Sequence, residues 1–434
     1  MGIRASAALR AVALISLVAA LVPAGPAASR RLQPEDKKCF GFDPTIVGTR
    51  GDDVIRGTRG FDIISALEGN DEVRAGGGPD FVCAGDGDDL VRGGPSFDLI
   101  EALTGADRVY GEGAADLFLE TSLPEDPQGP AYVHVGDVSD DEWYGGPGDD
   151  LMTDDGANDL LDGGEGRDTY LGLFNFSPMV VNLATGHSSS GRGDVNTLVL
   201  IENAYGGLYA DVLLGGEGPN VLSGTFGPDL VHGEGGSDLL FSMVDGDLLD
   251  GGGGHVRDAV MVVLDEGIEA DLADGVVSAP ESGRVPDRLV GIDDLIGGVA
   301  DDVIVGSDGA NRLYGGGGDD MLDGTTGADT IMGDGPFWPW VDRAHWWRGD
   351  ADRKGGADVL IGGDGKDRLD GGPARDECRS GEVIKRCEVV PSDAAAARRR
   401  RPSIPRGLDA WWFPLVLDHT ARPWLELVPP ELRR

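Results

Sequence analysis

Residues 48–119 read GTRGDDVIR GTRGFDIIS ALEGNDEVR AGGGPDFVC AGDGDDLVR GGPSFDLIE ALTGADRVY GEGAADLFL, eight nine-residue units without a gap. Column six holds Asp53, Asp62, Asp71, Asp80, Asp89, Asp98, Asp107 and Asp116. Column eight holds Ile55, Ile64, Val73, Val82, Val91, Ile100, Val109 and Phe118. Glycine recurs in columns one, two and four, and column four departs from it at Ser96 and Ala114. One apolar residue in nine is too sparse for the buried face of an α-helix, and each helical glycine would cost about 1 kcal/mol. The pattern suits a three-residue strand whose central, column-eight side chain points inward. The six residues before it turn the chain, with glycine supplying backbone conformations that a Cβ forbids.

The frame returns four more times. Residues 136–171 carry Asp141, Asp150, Asp159 and Asp168 in column six, and residues 206–250 carry Asp211, Asn220, Asp229, Asp238 and Asp247. Residues 297–332 carry Asp302, Asn311, Asp320 and Asp329, and residues 353–379 carry Asp358, Asp367 and Asp376. Of these 24 units, 22 have aspartate in column six, and column eight stays apolar or aromatic until Leu360, Leu369 and Cys378. Two longer segments between blocks resemble each other. VVNLATG (180–186) leads to LVLIEN (198–203), and IEADLADG (268–275) leads to LVGIDD (289–294). Their alternation predicts short β-hairpin-like inserts, each feeding the next block.

Two units make one rung of a flattened coil, so the expected fold is an all-β solenoid, a parallel β-roll with short β inserts. Rungs of parallel strands lie about 4.8 Å apart. Asp53, Asp71, Asp89 and Asp107 then stack along one edge, and Asp62, Asp80, Asp98 and Asp116 along the other. Unit charges about 5 Å apart repel by about 1 kcal/mol in water and about 3 kcal/mol at an effective dielectric of 20. Repeated along an edge, that repulsion calls for cations. Carboxylates and turn carbonyls form an all-oxygen donor set, which suits Ca2+ better than the geometrically stricter Mg2+.

The bulk composition agrees. The chain has 434 residues, 72 of them glycine, and a formal charge of -41 from 36 Lys+Arg against 77 Asp+Glu. So acidic a chain repels nucleic acid and anionic membrane and attracts cations. Aromatic residues make up only 6%, unlike an ordinary enzyme core. Glycine-rich acidic composition can mean disorder, but a fixed period points to a repeat architecture.

GGGGDDMLD (315–323), GGDGKDRLD (362–370) and GGPGDDLMT (145–153) resemble, nearly letter for letter, the G-G-x-G-x-D-x-U-x nonapeptide of RTX (hemolysin-type) calcium-binding proteins. The resemblance covers most of residues 48–379. It implies a parallel β-roll that orders around Ca2+, with ligands from column-six carboxylates and turn carbonyls. Carried over residue by residue, it assigns metal ligation to Asp53, Asp62, Asp71, Asp80, Asp89, Asp98, Asp107, Asp116, Asp150, Asp159, Asp168, Asp211, Asp229, Asp238, Asp302, Asp320, Asp329, Asp358 and Asp367. Asn220 and Asn311 offer one neutral oxygen each, which weakens their sites. GDVSDDEWY (136–144) and SMVDGDLLD (242–250) lack most glycines and are the poorest matches. Ser96 and Ala114 mark Asp98 and Asp116 as the weakest sites of the first block.

Outside the repeats, Arg4 and Arg10, the apolar run AVALISLVAALV (11–22) and small residues near Ala24–Ser29 predict a secretory signal peptide over residues 1–29. The run is shorter than the roughly 20 residues needed to span a bilayer. Cys39, Cys83, Cys378 and Cys387 fit an oxidising compartment. Spacing favours Cys39–Cys83 and Cys378–Cys387, though four cysteines allow three connectivities. A zinc site is disfavoured, since no C-x-x-C occurs and no histidine lies near either pair.

The expected organisation is an N-terminal cap (30–47), a first repeat region (48–171, with an insert at 120–135), and a β insert with its repeat block (172–250). A second β insert with its blocks follows (251–379), then a disulfide cap (380–387) and a tail (388–434). The Trp-rich insert 333–352 holds Trp338, Trp340, Trp346 and Trp347 and is expected to pack as a loop on the roll. The tail, basic through RRRRP (398–402) and carrying WWFPLVL (411–417), is expected to be disordered.

No H-E-x-x-H, P-loop or Rossmann fingerprint occurs. GHSSS (186–190) lacks the closing glycine of a lipase elbow and is expected in a turn. The leading functional expectation is a secreted, calcium-binding protein that folds on Ca2+, without catalytic activity. The alternatives are a surface adhesion or matrix spacer, contacting glycan or cell envelope through the Trp-rich insert or the tail, and an RTX-type enzyme or toxin.

Overall fold

The computed structural model describes residues 38–119 and 139–389, except 154–156, 173–176, 192, 254–255, 335–355, 373–374 and 382. The expected signal peptide, most of the Trp-rich insert and nearly all of the tail lie outside the described residues, as does the insert at 120–135. The described chain divides into two compact units, up to Gly207 and from Leu208. All its regular elements are strands, mostly of three residues.

In the first unit one sheet runs Ile46–Val47, Ile63–Ser65, Phe81–Cys83, Leu99–Glu101, Leu117–Leu119, Leu151–Thr153, Thr169–Leu171 and Asn203–Tyr205, all parallel. The other runs Val54–Arg56, Glu72–Arg74, Leu90–Gly94, Arg108–Glu112, Glu142–Pro147, Leu160–Glu165 and Asn196–Val199, also parallel. Successive units of nine alternate between the sheets, and column pairs with column: Ile64 with Val82, Val82 with Ile100, Val73 with Val91. This is the expected β-roll, with one rung per two repeats.

Column eight is the core. Ile64, Val73, Val82, Val91, Ile100, Val109 and Phe118 are fully buried, and Trp143, Met152, Leu161 and Tyr170 continue the line at 0–1% exposure. Phe118 and Trp143 pack with ring centroids 5.5 Å apart. Burying one such side chain contributes about 1.5–3 kcal/mol. Flanking positions add to it: Ile63, Leu99, Leu117 and Leu151 are also buried in the first unit, and Phe241, Met261, Ile296 and Tyr314 form a further buried cluster in the second.

In the second unit Val221–Ser223, Leu239–Ser242, Ala259–Val262, Asp294–Ile296, Arg312–Tyr314, Thr330–Met332, Arg368–Asp370 and Val383–Lys385 form one parallel sheet. Its partner begins Val212–Leu214, Leu230–His232, Leu248–Asp250, Asp287–Val290. It then turns antiparallel through Val276–Ser278 and Glu269–Asp271, and resumes parallel order with Val303–Val305, Met321–Asp323, Val359–Ile361 and Glu377–Arg379.

Both expected β inserts are therefore antiparallel hairpins spliced into a roll face. The first is Met179–Asn182 against His187–Ser190, which pairs with Asn196–Val199. The two turns are built alike: Asn182 Oδ1 accepts the Thr185 NH, and Asp271 Oδ1 accepts those of Ala273 and Asp274. GHSSS, expected in a turn, has only Gly186 there. His187–Ser190 is a strand with all three serines buried, because the hairpin lays it across the roll face.

Both expected disulfides are present, and no described cysteine is left reduced. Cys39–Cys83 ties the chain before the repeats to Phe81–Cys83, beside Ile63 and Phe81. Cys378–Cys387 closes the last rung.

The glycine columns have a steric basis. Gly85 has φ +111°, and a Cβ there would lie 1.8 Å from the Leu67 carbonyl oxygen of the rung before. Gly85→Ala should therefore destabilise the calcium-saturated protein by about 2–5 kcal/mol, combining left-handed strain with overpacking. Urea unfolding in excess Ca2+ measures it, and an unchanged midpoint would refute this steric account.

Candidate metal centre

The column-six carboxylates build two edges from the turns. Each sits just before a strand, and its Oδ1 accepts the backbone NH of the same-column residue one rung earlier. On one edge of the first unit, Asp53, Asp71, Asp89, Asp107 and Asp141 donate in turn to Asp71, Asp89, Asp107, Asp141 and Asp159, over 2.6–3.0 Å. On the other, Asp62, Asp80, Asp98, Asp116 and Asp150 donate to Asp80, Asp98, Asp116, Asp150 and Asp168, over 2.6–2.8 Å. The structure thus brings the expected residues together in the two expected stacks.

The second unit repeats the ladder. Asp211 donates to Asp229, and Asp229 to Asp247. Asp302, Asp320 and Asp358 donate to Asp320, Asp358 and Asp376. Along the other edge Asn220 donates to Asp238, Asn311 to Asp329 and Asp329 to Asp367. Asp141, Asp247 and Asp376, outside the expected ligand set, occupy the same position as their neighbours.

Four further residues take the column-six place off the nine-residue phase. Asn196 accepts the Asp159 NH, Glu202 that of Asp168, Asp258 that of Asp238, and Asp287 that of Asp247. A signal for them existed, since each is followed two residues later by a buried Leu198, Ala204, Val260 or Leu289.

The second carboxylate oxygen differs from site to site. Oδ2 of Asp71, Asp80, Asp89, Asp98, Asp116, Asp150, Asp168, Asp229, Asp238, Asp320, Asp329 and Asp358 is buried without a hydrogen-bond partner. An orphaned buried carboxylate oxygen is costly unless a cation or proton meets it. Burial therefore pushes these groups up: Asp89, Asp98 and Asp150 to about 7, Asp168 to about 8, Asp116 and Asp320 to about 9. Desolvation also raises Asp229, to about 10, with the neighbouring Asp247 charge adding to it.

Elsewhere the protein supplies its own donors. Thr49 and Thr58, in column two, give both NH and hydroxyl to Oδ2 of Asp53 and Asp62 at 2.6–2.8 Å. Gly298 NH serves Asp302 Oδ2. Asn311 accepts from Ser307 NH and donates to the Asp293 carbonyl, each at 2.7 Å, so its amide is already engaged. Asn220 Oδ1 likewise takes the Gly216 NH. Ser96 and Ala114 leave no mark on the ladder: Asp98 and Asp116 are fully buried and placed like their neighbours.

Carboxylates stacked rung on rung, with buried oxygens that no protein group meets, define a cation-binding β-roll. The family model of RTX calcium-binding nonapeptide repeats, which describes four copies, matches residues 47–82, 84–118, 135–173, 205–240, 223–255, 296–331 and 354–381. These spans cover just over half of the chain, which belongs to that family and binds Ca2+. No curated protein matches the chain.

Proposed function

We propose that this is an exported calcium-binding scaffold, ordered by Ca2+ held between rungs, with no catalytic role of its own. The observation that carries the reading is the column of buried, unpartnered Oδ2 atoms on consecutive rungs. The column-six aspartates on each edge would hold the ion, together with turn carbonyls. Bound Ca2+ supplies positive charge where only protons could otherwise neutralise the edge. Export is supported by the leader-like N-terminus and by the pairing of all four cysteines. A non-catalytic role is in keeping with a sequence that carries no H-E-x-x-H, P-loop or Rossmann fingerprint and no complete lipase elbow.

The test uses Asp98→Asn together with Asp116→Asn. Asparagine keeps the acceptor for the Asp80 and Asp98 NH groups and removes the charge. Calcium bound per chain, measured by equilibrium dialysis, should fall, and the folding midpoint should move to higher Ca2+. Unchanged stoichiometry would exclude these residues as ligands.

A further inference from the structure

We propose that Asp334 is a third carboxylate ligand in one particular calcium site, formed with Asp358 and Asp376 and set apart from the two-carboxylate sites along the edges. The proposal rests on the calcium reading of column six and adds a residue that column six does not contain. Asp334 stands in column two, where GGGGDDMLD and GGDGKDRLD have glycine. Its NH reaches the Gly371 carbonyl at 3.2 Å, so its backbone stays in the turn ladder. Its Oδ1 accepts the Gly356 NH at 3.0 Å.

One oxygen from each of Asp334, Asp358 and Asp376 lies within 4.8 Å of the others. Asp358 and Asp376 are 1% and 2% exposed, and their Oδ1 atoms are used by the NH groups of Asp320 and Asp358. Oδ2 of all three is buried with no partner. Glycines wall this space: a Cβ on Gly371 would lie 2.3 Å from Asp376 Oδ2, and one on Gly372 2.7 Å from Asp334 Oδ2. The nearby cation, Arg386, is held by Asp370 at 2.6 Å. Three carboxylates with orphaned oxygens exceed what one proton can neutralise. Their all-oxygen, charge-rich set is what raises calcium affinity in oxygen-ligand sites.

The Asp245–Asp247–Asp287 cluster lacks this character. Asp287 Oδ1 takes the Gly246 and Asp247 NH groups, and its Oδ2 takes the Ser242 hydroxyl.

The experiment is calorimetric titration of CaCl2 into metal-stripped full-length protein, for the native sequence, Asp334→Asn and Asp334→Gly. Glycine is the column-two residue of many units, Gly316 and Gly363 among them, so that variant should fold. The native protein should show a tight binding class beside a larger, weaker one. Both variants should weaken the tight class at least tenfold, leave the weaker class intact, and reach native circular dichroism in excess Ca2+. Variants that titrate like the native protein would overturn the role of Asp334 while leaving the column-six reading standing. Absence of calcium binding by the native protein would sink both.

Discussion

Metal-stripped protein at pH 8 should show little β-type circular dichroism, and millimolar Ca2+ should restore it in one steep, cooperative step. The roll is built of strands mostly three residues long, whose core rests on small aliphatic side chains such as Val82, Val91 and Ile100. Against it stand 72 glycines. Ordering the backbone costs about 1–2 kcal/mol per residue. A ligand present at a hundred times its Kd stabilises by about 2.7 kcal/mol per site. A few such sites match the whole 5–15 kcal/mol, roughly, by which a domain is stable. Each ion also cancels repulsion within its stack, so binding and folding are one event. Mg2+ at the same concentration should do much less. Identical spectra and melting temperatures with and without Ca2+ would end the proposal that the metal orders the roll.

The second large effect is acid rescue of the metal-free roll. Asp89, Asp98, Asp116, Asp150 and Asp320 have folded-state values of about 7 to 9, against 3.8 for the ordinary carboxyl, because burial disfavours the anion. The folded state then holds more protons than the unfolded chain, so stability falls as pH rises. The contribution is fully present below about 4 and is lost as pH climbs through the folded values. Without Ca2+, the β-type circular dichroism that is nearly absent at pH 8 should grow as pH falls to 5. Calcium binding has the opposite sign, since the ion displaces those protons. Its apparent affinity should weaken by about tenfold per pH unit on acidification for each proton displaced. Equal calcium affinity at pH 5.5 and pH 8 would contradict buried, proton-competing ligands.

Much of this was legible because the two informative columns have independent physical causes. Column eight is apolar because it is the core, and column six carries a side-chain oxygen because its Oδ1 closes the preceding rung and a charge because its Oδ2 faces the cation. Their offset of two residues identifies each strand and the carboxylate before it. Legibility failed where the chain leaves the nine-residue phase. Two added residues before Asp258 and the hairpins before Asn196 and Asp287 hid those positions, although their geometry is that of any other rung. It failed differently at Asp334, since a carboxylate in a glycine column reads as a lapse in the motif. Nor did the sequence separate Asp53 and Asp62 from the rest. That distinction needs Thr49 and Thr58 seen at hydrogen-bonding distance from Oδ2.

Strand pairing resumes in register across interruptions of different lengths. Asp116 follows Asp98 by 18 residues, but Asp150 follows Asp116 by 34, and Asp358 follows Asp320 by 38. The added lengths are not multiples of nine, yet each carboxylate finds the NH waiting on the rung before. Alignment is therefore read at the contact between neighbouring rungs and not counted along the chain. Such a scaffold behaves like a rack with standard fittings: this chain hangs segments of several lengths between its rungs and keeps the same Oδ1-to-NH contact across each.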